Sequence, residues 1–149
     1  MEAVSNLNNL YKKDFYAWIK EQARLLKTNE FNQLDIANLV EEVESMGSSE
    51  VRELESRFEI LLMHLLKWKY QPNSRSVSWE LTIKEQRKRI AVRIKKMPSL
   101  KTLLNETMLE AYDIAIYEAA KETKLSLKAF PDLCEWDLKQ VLDDQFYPS

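Results

Sequence analysis

Glycine occurs once in 149 residues, at Gly47, while apolar residues recur at three- and four-residue spacing from Tyr11 to Ala120. Tight hairpins, Gly-rich phosphate loops and the nucleophile elbow all need backbone angles or close approaches that glycine supplies. A chain without it is pushed toward helices, whose 3.6-residue period the apolar spacing matches. The fold class expected is all-α, and the usual signatures of nucleotide binding and hydrolysis are absent.

The length fits a single domain over residues 1–149, large enough to bury about two-thirds of its unfolded surface. An apolar fraction of 45%, a charged fraction of 31% and a net charge of −2 belong to a globular chain rather than a disordered one. One cysteine, Cys134, excludes an internal disulfide framework. The start, MEAVSNLNNLYKKDF, has neither the basic opening nor the apolar segment of an export signal, so the cytoplasm is the expected compartment. The longest apolar run, Ile60 to Leu66, is interrupted by His64 and is too short to span a bilayer.

Phe15, Trp18, Ile19, Leu25 and Leu26 fall on one side of a first helix over about 12–28. Asp35 can cap a second, whose stripe Ile36, Leu39, Val40, Val43 and Met46 stops at Gly47. Met46-Gly47-Ser48-Ser49 therefore reads as a tight corner into a third helix, about 49–70. There Val51, Leu54, Phe58, Ile60, Leu61, Leu62, Leu65, Leu66 and Trp68 cover an arc too wide for one interface, which marks it as central.

Pro72 ends that helix, because proline has no amide to donate and disfavours helical geometry in the residue before it. Ser78 is the expected cap of a fourth helix reaching Met97, and Pro98-Ser99 separates it from a fifth over about 99–123. Alanines late in the fifth helix permit close approach of a neighbour. The tail holds Phe130, Leu133, Trp136, Leu138, Val141, Leu142 and Phe146, too apolar for solvent, so an ordered extension with a short helix near 137–142 is expected. Five main helices in an up-and-down bundle result.

The segments YKKDFYAWIKEQARLLK, LDIANLVEEVESMG, LLMHLLKWKYQP, SWELTIKEQRKRI, MPSL and FPDLCEWDLKQVLDDQFYP occur in an order and spacing that resemble the bacterial family called domain of unknown function 29. The resemblance runs from about Tyr11 to Pro148. It implies a small bacterial all-helical protein, and carries over no activity, cofactor or partner.

Two features remain for function. His64, the lone histidine, lies seven residues after Arg57, two turns along one helix side. An arginine followed after four to six residues by a histidine resembles the motif of the prokaryotic nucleotide-binding helical domain family, many of whose members are dimeric ribonucleases. That resemblance implies Arg57 steadying charge on a phosphate and His64 handling a proton. The family usually has a polar residue after the arginine, where this chain has Phe58. Against it stands a half-buried packing role for His64. Transition-metal sites need three or four converging ligands, and no Glu-x-x-His pair exists to join His64, Glu41, Glu42 or Asp14, so neither metal nor cofactor is expected. Cys134 has no histidine near it in sequence and reads as a packing residue.

The second feature is charge. From Lys84 to Lys96 seven basic residues (Lys84, Arg87, Lys88, Arg89, Arg93, Lys95, Lys96) oppose one acidic, a local +6. Such a face can track a phosphate backbone or meet an acidic partner. Residues 41–59, with seven glutamates against Arg52 and Arg57, carry −5 and can neutralise it internally. Arg87, flanking the Ile83/Ile90/Ile94 stripe, is the expected member of a semi-buried ion pair with one of those glutamates. Trp68 and Trp79 flank the Pro72 connection, where Arg75 can stack. Two functions stay open: a non-catalytic protein-interaction module binding another protein or itself, or an RNA-directed binder or ribonuclease using Arg57, His64 and the basic helix.

Overall fold

The computed structural model describes residues 10–149, which form helices and short connections with no strand among them. The N-terminal segment read for an export signal lies, up to Asn9, outside the described residues. Residues 10–13 are helical, followed by α1 (Phe15–Lys27), α2 (Ile36–Tyr70), α3 (Val77–Lys96), α4 (Leu104–Thr123) and the short α5 (Leu138–Leu142). Tight 3-10 turns at Phe31–Gln33, Pro72–Ser74, Pro98–Leu103 and Leu127–Ala129 join them.

Four long helices replace the five expected. The corner at Met46–Ser49 is absent, and α2 runs through Gly47 for 35 residues. Gly47 does not take the left-handed conformation that a glycine helix stop requires. A glycine inside a helix costs only about 1 kcal/mol relative to alanine, too little to break a segment with helix formers on both sides and no proline. The real helix ends use other residues: Asn29 and Lys124 adopt φ of 60°, and the Lys124 amide returns to the Ala120 carbonyl at 2.9 Å. A glycine-poor chain thus places asparagine and lysine where glycine is usual.

Capping follows side-chain chemistry. Asp14 accepts from the Ala17 amide at 3.1 Å, Asp35 from the Asn38 amide at 3.4 Å, and Asp137 forms a reciprocal capping box with Gln140. Ser76, not Ser78, caps α3 by accepting from the Trp79 amide at 3.2 Å. Ser76 is the extended residue, while Ser78 already lies in the first turn. The fifth predicted helix begins at Leu104 rather than Ser99, because the segment after Pro98 closes as a 3-10 turn first.

The described chain divides into two compact units, with the boundary between Ser49 and Glu50. In the first, Trp18 and Leu25 are buried around a polar bracket. Trp18 Nε1 donates to Asp35 Oδ2 at 2.9 Å, and the Asp35 amide donates to Gln22 Oε1 at 2.9 Å. Tyr11 packs edge-on against Phe15 and Trp18, and its hydroxyl donates to Glu42 at 2.5 Å. That bond to a carboxylate pushes the Tyr11 pKa up to about 12.

In the second unit, Leu54, Phe58, Leu61, Leu62, Leu65 and Leu66 of α2 are fully enclosed, as a central helix requires. They meet Ile83 and Ile90 of α3 and Met108, Ala111, Ala115 and Ala119 of α4 in one core. Each such leucine contributes about 1.5–3 kcal/mol on burial. The tail is ordered as expected: Phe130, Trp136 and Val141 are buried. Leu133 is not, at 81% exposure, because it lies on the bend between the Phe130 and Trp136 anchors. The Tyr112 hydroxyl holds that bend by donating to the Pro131 carbonyl at 2.5 Å.

Candidate functional site

The acidic and basic faces meet where α2 passes α3. Glu50 and Glu53 project from α2 toward Arg93 of α3, whose guanidinium bonds Glu50 closely and reaches Glu53 at 3.7 Å. Arg57, one turn after Glu53, donates to the same carboxylate through Nε at 3.0 Å and Nη2 at 2.7 Å. The hydrogen bond from Arg57 holds the Glu53 carboxyl below the usual range. Together with Lys88, Arg89 and Lys96 these side chains line an open groove of about 610 Å³. Elsewhere on α3, Lys84 pairs with Glu80 at 3.1 Å and Arg89 with Glu85 at 3.7 Å, both one turn apart. Lys88, Lys95 and Lys96 form no ion pair among the described residues.

Arg87 departs from expectation. It is buried, with 3% exposure, and pairs with no glutamate among the described residues. Its Nε donates to the Val141 carbonyl at 2.8 Å and its Nη2 to the Phe146 carbonyl at 2.7 Å, while the guanidinium lies 5.5 Å from the Tyr147 ring. The carbonyls at the end of α5 and in the final turn have no amide of their own to accept, and a forked donor reaches two at once. Arg87 therefore fastens the tail, and Arg93 and Arg57 make the glutamate contacts instead. Burial pulls the Arg87 pKa down, opposed by Tyr147, Asp144 and Asp143.

His64 is half-buried. Its Nδ1 lies 2.8 Å from the Ile60 carbonyl, and since a carbonyl only accepts, Nδ1 carries the proton. Burial lowers its pKa, and the Lys67 charge adds to the effect. Arg57 and His64 share no hydrogen bond or ion pair among the described residues, and Arg57 lines the groove while His64 does not. Seven residues of helix separate them by about 10 Å along the axis.

The family model described as Domain of unknown function DUF29 matches residues 10–147. The chain belongs to that family. No curated protein and no solved structure matches it.

Among the described residues of this DUF29 chain no three His, Cys, Asp or Glu side chains gather as a metal site, and no helix is long and apolar enough to cross a membrane. Cys134 is half-buried, its Sγ 3.4 Å from the Trp136 carbonyl, and burial raises its pKa, which keeps it a thiol. Arg75 stacks over Trp68 at 5.1 Å and donates to its carbonyl at 2.8 Å. Sequence reasoning missed Lys67, buried with Nζ 4.6 Å from the Trp79 ring. A lysine amid leucines, twelve residues before Trp79, gave no periodic signal for that contact. It also missed the polar bracket around Asp35, because Gln22 falls on the apolar side of α1 without any motif.

Proposed function

We propose that the protein is a non-catalytic interaction module, and that its first unit pairs with a second copy of the chain. The observation that carries this is the stripe Ile36, Val40, Val43 and Met46, spaced for one side of α2 and between 49% and 68% exposed. A soluble helix normally turns such a stripe into a core. Phe15, Ile19 and Leu26 of α1 add further exposed apolar surface.

Charge favours a second copy as the occupant. Residues 10–27 hold five basic side chains against two acidic, a local +3, whereas residues 28–49 hold five acidic and no basic ones. A two-fold arrangement places each basic stretch against the other copy's acidic one, which is how an isologous interface becomes self-complementary. Less supports a nuclease: Arg57 is engaged by Glu53, and the His64 proton is committed to its own helix.

Sedimentation analysis over serial dilution tests the proposal. The wild type is expected to pass from dimer to monomer, and Val43→Asp to stay monomeric with unchanged helicity. A wild type monomeric at every concentration, or a Val43→Asp protein that associates equally well, contradicts it. RNA or DNA added at about 0.15 M salt, where surface fields are screened beyond about 8 Å, is expected to cause no shift.

A further inference from the structure

A second cleft, of about 850 Å³, lies in the second unit where α3, the start of α4 and the tail come together. Its wall is divided in character. Ile90, Ile94, Leu104 and Leu142 supply apolar lining, and Lys84, Arg87, Lys88 and Lys101 bring cations to it. Asp144 is the one carboxylate among the described residues that line it. The volume falls within the range of small-molecule sites, which combine an apolar lining with a few polar groups that orient the ligand.

Arg87 gives this cleft its chemistry. It makes no salt bridge among the described residues, and its two engaged donors reach only neutral carbonyls. The third group, Nη1, is buried and has no hydrogen-bond partner among the described residues, and the same holds for the buried hydroxyl of the adjoining Tyr147. A buried cation whose hydrogen bonds go only to neutral groups is costly even with the Asp143 and Asp144 charges nearby, and an anion brought to it recovers part of that cost through a charge-assisted bond. Among the described residues Lys88 and Lys101 have no ion-pair partner, and Lys84 pairs only with half-buried Glu80.

We propose that this cleft binds amphipathic anions, small molecules with a carboxylate or phosphate head on an apolar body. The head sits among Arg87, Lys88 and Lys101, and the body lies along Ile90, Ile94 and Leu104. The site is separate from the apolar stripe of the first unit, and does not depend on self-association.

Titration of the full chain with octanoate, octyl phosphate and octanol, followed by methyl NMR, tests this. Both anions are expected to saturate at one equivalent and to shift the Ile90, Ile94 and Leu104 methyls, with octanol binding at least about tenfold more weakly. The tighter of the two anions identifies the head that the site selects. Because Arg87 also fastens the tail, the variants are made at exposed positions. Lys88→Gln with Lys101→Gln is expected to weaken both anions by about tenfold. Ala91→Trp is expected to block the cleft. Octanol binding as tightly as octanoate, or binding of either anion unaffected by both variants, overturns the proposal, as does an absence of any shift at these methyls.

Discussion

The two units of this chain use the same kind of helix to opposite ends. From Glu50 onward, α2 turns six large apolar residues between Leu54 and Leu66 into a core closed by α3, α4 and the tail. From Ile36 to Ser49 the same helix carries an equally regular stripe and leaves it exposed. The first unit is held by a bracket of hydrogen bonds around Asp35 and by the Tyr11, Phe15 and Trp18 rings, with only Trp18 and Leu25 as large buried apolar groups among its described residues. Amphipathic periodicity thus forecasts a helix in both places, but which stripe finds a partner depends on what the rest of the chain can bring to it.

The largest expected effect sets the two stripes against each other. Leu62→Ala should cost about 2–5 kcal/mol through lost burial and a residual cavity, whereas Val43→Ala, measured at low protein concentration, should cost less than about 0.5 kcal/mol. Chemical denaturation monitored by circular dichroism decides it, and equal losses would erase the contrast. Next comes the tail lock. Arg87→Met should cost about 2–3 kcal/mol by leaving the Val141 and Phe146 carbonyls without their donor, and should make residues beyond Leu142 sensitive to limited proteolysis. Unchanged stability with a protected tail would mean that the apolar anchors alone hold it.

Gly47→Ala probes the boundary region. An added Cβ meets nothing within 4 Å, so in a continuous helix the change should stabilise by about 1 kcal/mol. A left-handed corner would instead make alanine destabilising, and a fall in melting temperature would restore the corner. The smallest effect concerns pH. The folded pKa of His64 lies below its ordinary value, so between about 6.5 and that folded pKa the unfolded chain binds more protons than the folded one. Stability should therefore decline as pH falls through that window, and His64→Gln should flatten the decline. Parallel profiles for the two proteins would show that His64 does not titrate differently on folding.

The all-helical class, the central role of residues 54–66, the Asp35 cap and the tail with its short helix were legible because each rests on local pattern: period, cap chemistry and apolar content. What was not legible has one physical origin. Gly47 satisfies the sequence signal for a helix stop, yet its conformation is decided by the helix on both sides. Arg87 was expected to seek a carboxylate because charge is visible in sequence, whereas free carbonyls such as those of Val141 and Phe146 belong to every residue and are invisible there. Arg93 and Arg57, drawn from the same charge pattern, do meet Glu50 and Glu53. Lone side chains could be placed on a helix side, but not which neighbour would reach them.

Hydrogen exchange across a dilution series tests most directly whether the first unit's stripe awaits a second copy while the second unit is complete. Amides of residues 36–49 are expected to lose protection as the protein is diluted, and to remain weakly protected at all concentrations in Val43→Asp, while those of residues 54–66 stay protected throughout. Protection of residues 36–49 that is independent of both dilution and the substitution would contradict the account.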